Sequence, residues 1–217
     1  MKTNTTIKLN PSLVTGRLGL CAAALAGTAA AVPSADATVI TNNTQYVVTN
    51  TFAGIYLNFV TGVAGATPAG SPGWDFNPYA ATGGNLQFFW PTAPASSFGG
   101  VSSAGVYSNL SAGAVVSAGS TFITTATATS PNFNVAGTHI LGFRFFNEAT
   151  SAINFGYLTI VSGGAGGFPA TITSYSYENS GAAITVVPEP SSAALLSLAA
   201  LALGAVGVRQ WRRRVAA

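Results

Sequence analysis

Between residues 38 and 187 the apolar positions do not recur at helical spacing. They come as short runs of Val, Ile, Thr, Tyr and Phe, broken by Gly, Pro, Asn and Ser. This pattern predicts nine strands, at 45–49, 54–60, 86–90, 113–118, 121–127, 138–146, 153–161, 171–178 and 183–187. The clearest alternation runs through 139–146. His139, Leu141, Phe143 and Phe145 share one face, and Ile140, Gly142, Arg144 and Phe146 share the other. The first set is the better core face, so Arg144 should point away from the core or pair with an acid. Many short strands with turn residues between them predict an all-β domain, an antiparallel β-sandwich of jelly-roll-like type. No repeat of solenoid period is present.

The two ends follow a different pattern. Residues 18–32 and 191–208 are apolar on every side, rich in Ala and Leu, and without charge. The first run follows Lys2, Lys8 and Arg17 and is broken by Pro33. Small residues then stand at Ala35 and Ala37, as the shallow pockets of signal peptidase require. Residues 1–37 therefore read as an export signal helix cut after Ala37, with a second possible cut after Ala31 and an uncleaved anchor as the alternative. The second run begins after Pro188-Glu189-Pro190 and ends at Arg209, Arg212, Arg213 and Arg214, with Trp211 among them. As a helix at about 1.5 Å per residue it would span roughly 27 Å, enough for a bilayer core. The arginines should stay cytoplasmic and the tryptophan suits the interface. The competing reading, a buried core helix, is at odds with the cationic end and the missing polar face.

Three segments follow: an export signal at 1–37, a β domain at 38–187, and a tail at 188–217 with a membrane helix at 191–208. Composition then changes the meaning of the charge. The chain has 217 residues and a formal net charge of +3, but only 6% are charged. Seven of the eight cations lie in the two terminal segments. The β domain holds Asp75, Arg144, Glu148 and Glu178, a net charge of −2. It lacks the basic surface that a nucleic-acid partner needs. The single cysteine, Cys21, lies inside the first apolar run, so the β domain has no disulfide.

The tail resembles the PEP-CTERM sorting signal of Gram-negative bacteria. The resemblance rests on Val187-Pro188-Glu189-Pro190-Ser191-Ser192, the apolar run and the terminal arginines. It implies two processing partners, signal peptidase and an exosortase, with membrane anchoring before a cut near the triplet. The product would go to the envelope, the cell surface or an exopolysaccharide matrix. The stretches 137–145, 154–160 and 175–178 resemble strands of a domain often found ahead of this signal, with Tyr157 in place of a Trp. The stretches 54–62 and 73–79 are similar to segments of one branch of that group. No established activity is implied.

Candidate chemistry in the β domain is sparse. It has one histidine, His139, one aspartate and two glutamates, and no Gly-x-Ser-x-Gly elbow. His139 reads as a histidine at a core edge or on a strand surface. Glu148 and Glu178 would need a spacing of about 5–9.5 Å across a cleft to act as a glycosidase pair. Glu148 instead reads as part of a hairpin turn, solvated or paired with Arg144. Asp75 and Asn77 offer too few oxygens for a calcium ion, which takes about 6–8. No catalytic residue, metal or cofactor is expected, and the chain does not read as an enzyme. Trp74, Phe76, Tyr79, Phe88, Phe89 and Trp90 form either core or a sugar-stacking platform. The expected function is thus a sorted surface or matrix structural protein. The alternative is a carbohydrate-binding or adhesive module for secreted polysaccharide. A binder would expose these rings in a row on one face, and a structural domain would bury them.

Overall fold

The strands form where the alternation is strongest. In the computed structural model, which describes residues 37–125 and 130–187, they run in chain order: β1 (Val39–Asn42), β2 (Tyr46–Val48), β3 (Tyr56–Leu57), β4 (Ala64–Gly65), β5 (Asn77–Ala80), β6 (Leu86–Phe89), β7 (Gly99–Ser103), β8 (Val106–Tyr107), β9 (Val115–Val116), β10 (Phe122–Ile123), β11 (Gly137–Asn147), β12 (Ala152–Ser162), β13 (Ala170–Glu178) and β14 (Ile184–Thr185). The only helical element among the described residues is a 3₁₀ turn at Pro68–Gly70. The domain is all-β and antiparallel. Each of the nine expected strands falls on an observed one, several of them shorter than expected. The expected export helix, the membrane helix, the Pro188-Glu189-Pro190 triplet and the terminal arginines lie outside the described residues. Among the described residues no helix is long and apolar enough to cross a membrane.

The frame is an eight-stranded sheet in the order β1-β13-β12-β11-β7-β10, with β2 also on β13 and β8 on β7. Its spine is the β11–β12 hairpin, in continuous register from Gly137↔Ser162 to Asn147↔Ala152. Asn147 shapes the hairpin turn by accepting the Ala149 N–H on Oδ1 at 3.0 Å. The register between β12 and β13 shifts once, and Thr173 is the extra residue. Without that bulge, Ala170 and Ile172 would face away from Tyr175 and Tyr177. With it, all four join one core.

Both faces of the sheet are covered. On one face Leu141, Phe143, Phe145, Leu158 and Tyr175 pack beneath a cover drawn from residues 55–98, chiefly Leu57, Phe59, Phe76, Phe88 and Trp90. Phe59 stacks on Phe143 at 4.2 Å between centroids. The cover is tied down by polar groups at its edges. Tyr175 donates its hydroxyl to Phe59 O at 2.9 Å, and Trp90 Nε1 donates to the Tyr107 hydroxyl at 3.2 Å. On the other face the β9–β14 pair brings Val116, Ile184 and Val186 against Phe155. Glycine permits this second layer to come close. A Cβ on Gly142 would meet the side chains of Leu110, Val101 and Val116 at 2.7–2.8 Å.

Candidate functional site

Two of the acid and base candidates, His139 and Glu178, are engaged in structural hydrogen bonds. His139 is buried, as its place on the core face of β11 predicts. Its Nδ1 lies 3.2 Å from Asn109 Nδ2 and its Nε2 lies 3.0 Å from Val135 O. Both ring nitrogens are thereby occupied, with Nε2 as the donor. Glu178 is buried and accepts the N–H groups of Ser180 and Ala182, at 2.9 and 2.6 Å, closing the turn after β13. Glu148 sits exposed in the β11–β12 turn. Of the two readings for Glu148, the solvated turn holds, and the pair with Arg144 does not form. Arg144 instead donates from Nε to Phe98 O at 3.3 Å and lies over the Phe122 ring at 4.6 Å. The ring and the carbonyl lie beside Arg144 through β7 and β10, whereas Glu148 is beyond the end of β11.

Asp75 is fully buried. Its Oδ2 accepts the Phe59 N–H at 2.7 Å, and its Oδ1 has no partner. Burial pushes its pKa from 3.8 up to about 8, against the pull of the Phe59 N–H and with a further push from the Glu148 charge. Asn77 turns elsewhere, donating to Ala53 O and Ile55 O at 2.9 and 2.7 Å. Among the described residues no three of His, Cys, Asp and Glu gather as metal ligands. A carboxyl that binds its proton more tightly folded than unfolded favours the fold while protonated. Its contribution is complete below about pH 4 and is lost as pH rises through about 8. Thermal melting followed from pH 4 to pH 9 should therefore show a falling Tm, by about 10 °C. Asp75→Asn, which mimics the protonated form, should flatten that slope.

The aromatic residues divide into two sets. Phe76, Phe88 and Trp90 are buried in the main core. Trp74, Tyr79 and Phe89 are not, and two rings absent from the sequence-based set, Phe52 and Tyr56, join them. The division follows the β5–β6 hairpin, where Asn77 pairs with Phe89 and Tyr79 with Gln87. Phe88 and Trp90 point inward, so Phe89 between them points outward. Phe89 is 42% exposed and Phe52 78%. Tyr56 meets Trp74 edge-on at 5.0 Å, Trp74 stacks on Phe89 at 5.8 Å, and Phe52 meets Tyr79 at 5.8 Å. Phe52, Tyr56, Tyr79 and Phe89, with Asn77 at the base, line an open cavity of about 290 Å³. Asn77 holds the two loop carbonyls that fix Phe52 and Tyr56 beside the hairpin. The face is therefore built on paired strands. The period-2 alternation was its sequence signal, masked by three consecutive aromatics at 88–90.

The domain ends where the tail begins. Val186 donates its N–H to Ala114 O at 2.8 Å and accepts from Gly113 N at 2.9 Å, extending the β9–β14 pairing. Val187 O accepts the Tyr157 hydroxyl at 3.0 Å. The chain is thus held up to the residue before Pro188. Residues 186–214 match the PEP-CTERM protein-sorting motif. This tail is a PEP-CTERM sorting signal. It marks the chain as an exosortase substrate, exported, associated with the membrane during sorting and destined for the cell surface. No curated protein and no solved structure matches the chain. Of the residues expected to carry processing, Ala37 is described, exposed and outside any strand. Ala35, Pro188, Glu189, Pro190, Arg209, Arg212, Arg213 and Arg214 lie outside the described residues.

Proposed function

We propose that the β domain is a non-catalytic carbohydrate-binding module, carried to the cell surface by its PEP-CTERM signal and holding secreted polysaccharide there. The observation that carries this reading is the outward aromatic face of Trp74, Phe89, Tyr56, Tyr79 and Phe52. Contiguous rings at the surface, rather than scattered ones, mark an interaction site. Aromatic faces stack on the apolar faces of sugar rings, and their rigidity keeps the entropy cost of binding low. In this reading the eight-stranded sheet and the hairpins over it act as an irregular β-sandwich. Its cover layer presents the site.

The test uses the tryptophans. Trp74 is on the face, Trp90 is fully buried and Trp211 lies in the tail. Titrating the full chain with neutral oligosaccharides cut from the host's own secreted polysaccharide should shift the tryptophan emission. The shift should vanish in Trp74→Phe, and Phe89→Ala should weaken binding about tenfold. An unchanged emission in the parent, or the same shift in Trp74→Phe, would return the domain to a purely structural role.

A further inference from the structure

Arg144 is the only Lys or Arg between residues 38 and 187. It leaves β11 on the face opposite Phe143 and Phe145, and among the described residues no acid takes it up. The Phe122 ring lies 4.6 Å beneath the guanidinium, and Nε is engaged by Phe98 O at 3.3 Å. These two contacts restrain where the guanidinium sits. Its two terminal nitrogens have no hydrogen-bond or ion-pair partner among the described residues. Arg144 lines a cavity of about 510 Å³, whose walls include Thr92, Ser96, Phe98, Phe122 and Thr124.

We propose that this cavity binds a carboxylate carried on a sugar ring, a uronate unit of an acidic polysaccharide. A planar guanidinium with both terminal nitrogens open matches a carboxylate through two parallel N–H···O bonds. The stacked ring pre-orients the fork, so less side-chain freedom is lost on binding. The remaining walls offer hydroxyl-bearing and aromatic side chains, which suit a polyol ring, and the volume lies in the range of small-ligand sites. The domain around it carries a net charge of −2. A general attraction for polyanions is therefore absent, and an anion would be held by this one fork. The site stands apart from the aromatic face, although the two are close in sequence: Phe89 lines one cavity and Pro91 the other. The proposal does not depend on the aromatic face binding sugar.

The test is isothermal titration of the full-length chain in detergent with a uronate trisaccharide, its neutral carboxyl-reduced counterpart, and acetate. The uronate should bind at least about tenfold more tightly than the neutral sugar, and should weaken as salt rises from about 0.05 to 0.5 M. Arg144→Gln should remove that tenfold preference, while Arg144→Lys should keep part of it. Thr124→Val, which leaves Arg144 in place, should weaken uronate and spare acetate. Equal affinity of the parent for the acidic and neutral sugars overturns the proposal. So does an undiminished preference in Arg144→Gln. Acetate binding as tightly as the trisaccharide would reduce the site to a plain anion site and overturn the sugar assignment. Loss of neutral-sugar binding in Trp74→Phe reports on the aromatic face alone, so the two readings fail separately.

Discussion

Phe143→Ala should cost the domain about 3–5 kcal/mol, a large part of the stability of an ordinary domain. Phe143 is fully buried at the centre of the main sheet. It stacks on Phe59 at 4.2 Å and touches Trp90 and Phe145, at 6.3 and 5.9 Å between centroids. Across the sheet it faces Gly156, and the ring occupies the space a side chain there would need. Truncation would empty the space between the sheet and its cover, which the rigid strands cannot close. The complementary change tests the same packing from the other side. A Cβ on Gly156 would lie 2.5 Å from Phe143 Cζ and 2.6 Å from the Ser176 carbonyl oxygen. Gly156→Ala should therefore destabilise through overpacking, by about 1–3 kcal/mol. Urea unfolding of both variants checks this. A loss below about 1 kcal/mol in Phe143→Ala would mean that the cover does not seal the sheet.

Much of this architecture is legible in the sequence. The alternation in 138–146 and 153–161 gave the central hairpin and placed His139, Leu141, Phe143 and Phe145 on the buried face. What escaped notice was built from residues that pattern reading treats as breakers. β7 opens with Gly99-Gly100, which reads as a turn. The glycines are there because a Cβ on Gly100 would meet the Tyr107 ring at 2.8 Å, and one on Gly99 would meet Ile123 O at 2.9 Å. β5 contains Pro78, and β4 is only Ala64-Gly65. β4 and β5 belong to the cover, whose shape is set by packing on the sheet more than by local propensity, whereas β7 joins the main sheet beside β11.

The candidate site was half legible for the same reason. The aromatic composition of 74–90 was plain. Which rings faced outward depended on the register of the β5–β6 hairpin, and Phe52 and Tyr56 reach the face from a loop and from β3. The sequence leaves Arg144 either pointing away from the core or paired with an acid such as Glu148. The strand carries Arg144 toward β7 and β10, where a carbonyl and a ring take the place of the acid. Asp75 stood between two aromatics with nothing to signal that a carboxyl would be fully buried there.

The β domain meets the tail that delivers it at Val187. Tyr157 and Ala114 hold the chain up to that residue. Pro188 and Pro190 should keep the next stretch from entering a helix, since proline disfavours helix both at its own position and at the residue before it. We expect the exosortase to grip this extended stretch between the domain and the apolar run. Glu189 would keep the stretch in water above the bilayer. Changing all three residues of Pro188-Glu189-Pro190 to Ala should let the apolar helix extend upward toward the domain and remove the segment the peptidase holds. The loss of processing should be near complete, while the β domain, which ends at Val187, should melt as the parent does. The deciding measurement is the mass of the mature protein recovered from a host that carries the matching exosortase. The parent should have lost the apolar run and the terminal arginines, and the triple-Ala variant should keep both. A variant trimmed as fully as the parent would contradict the claim that this triplet is what delivers the domain to the surface.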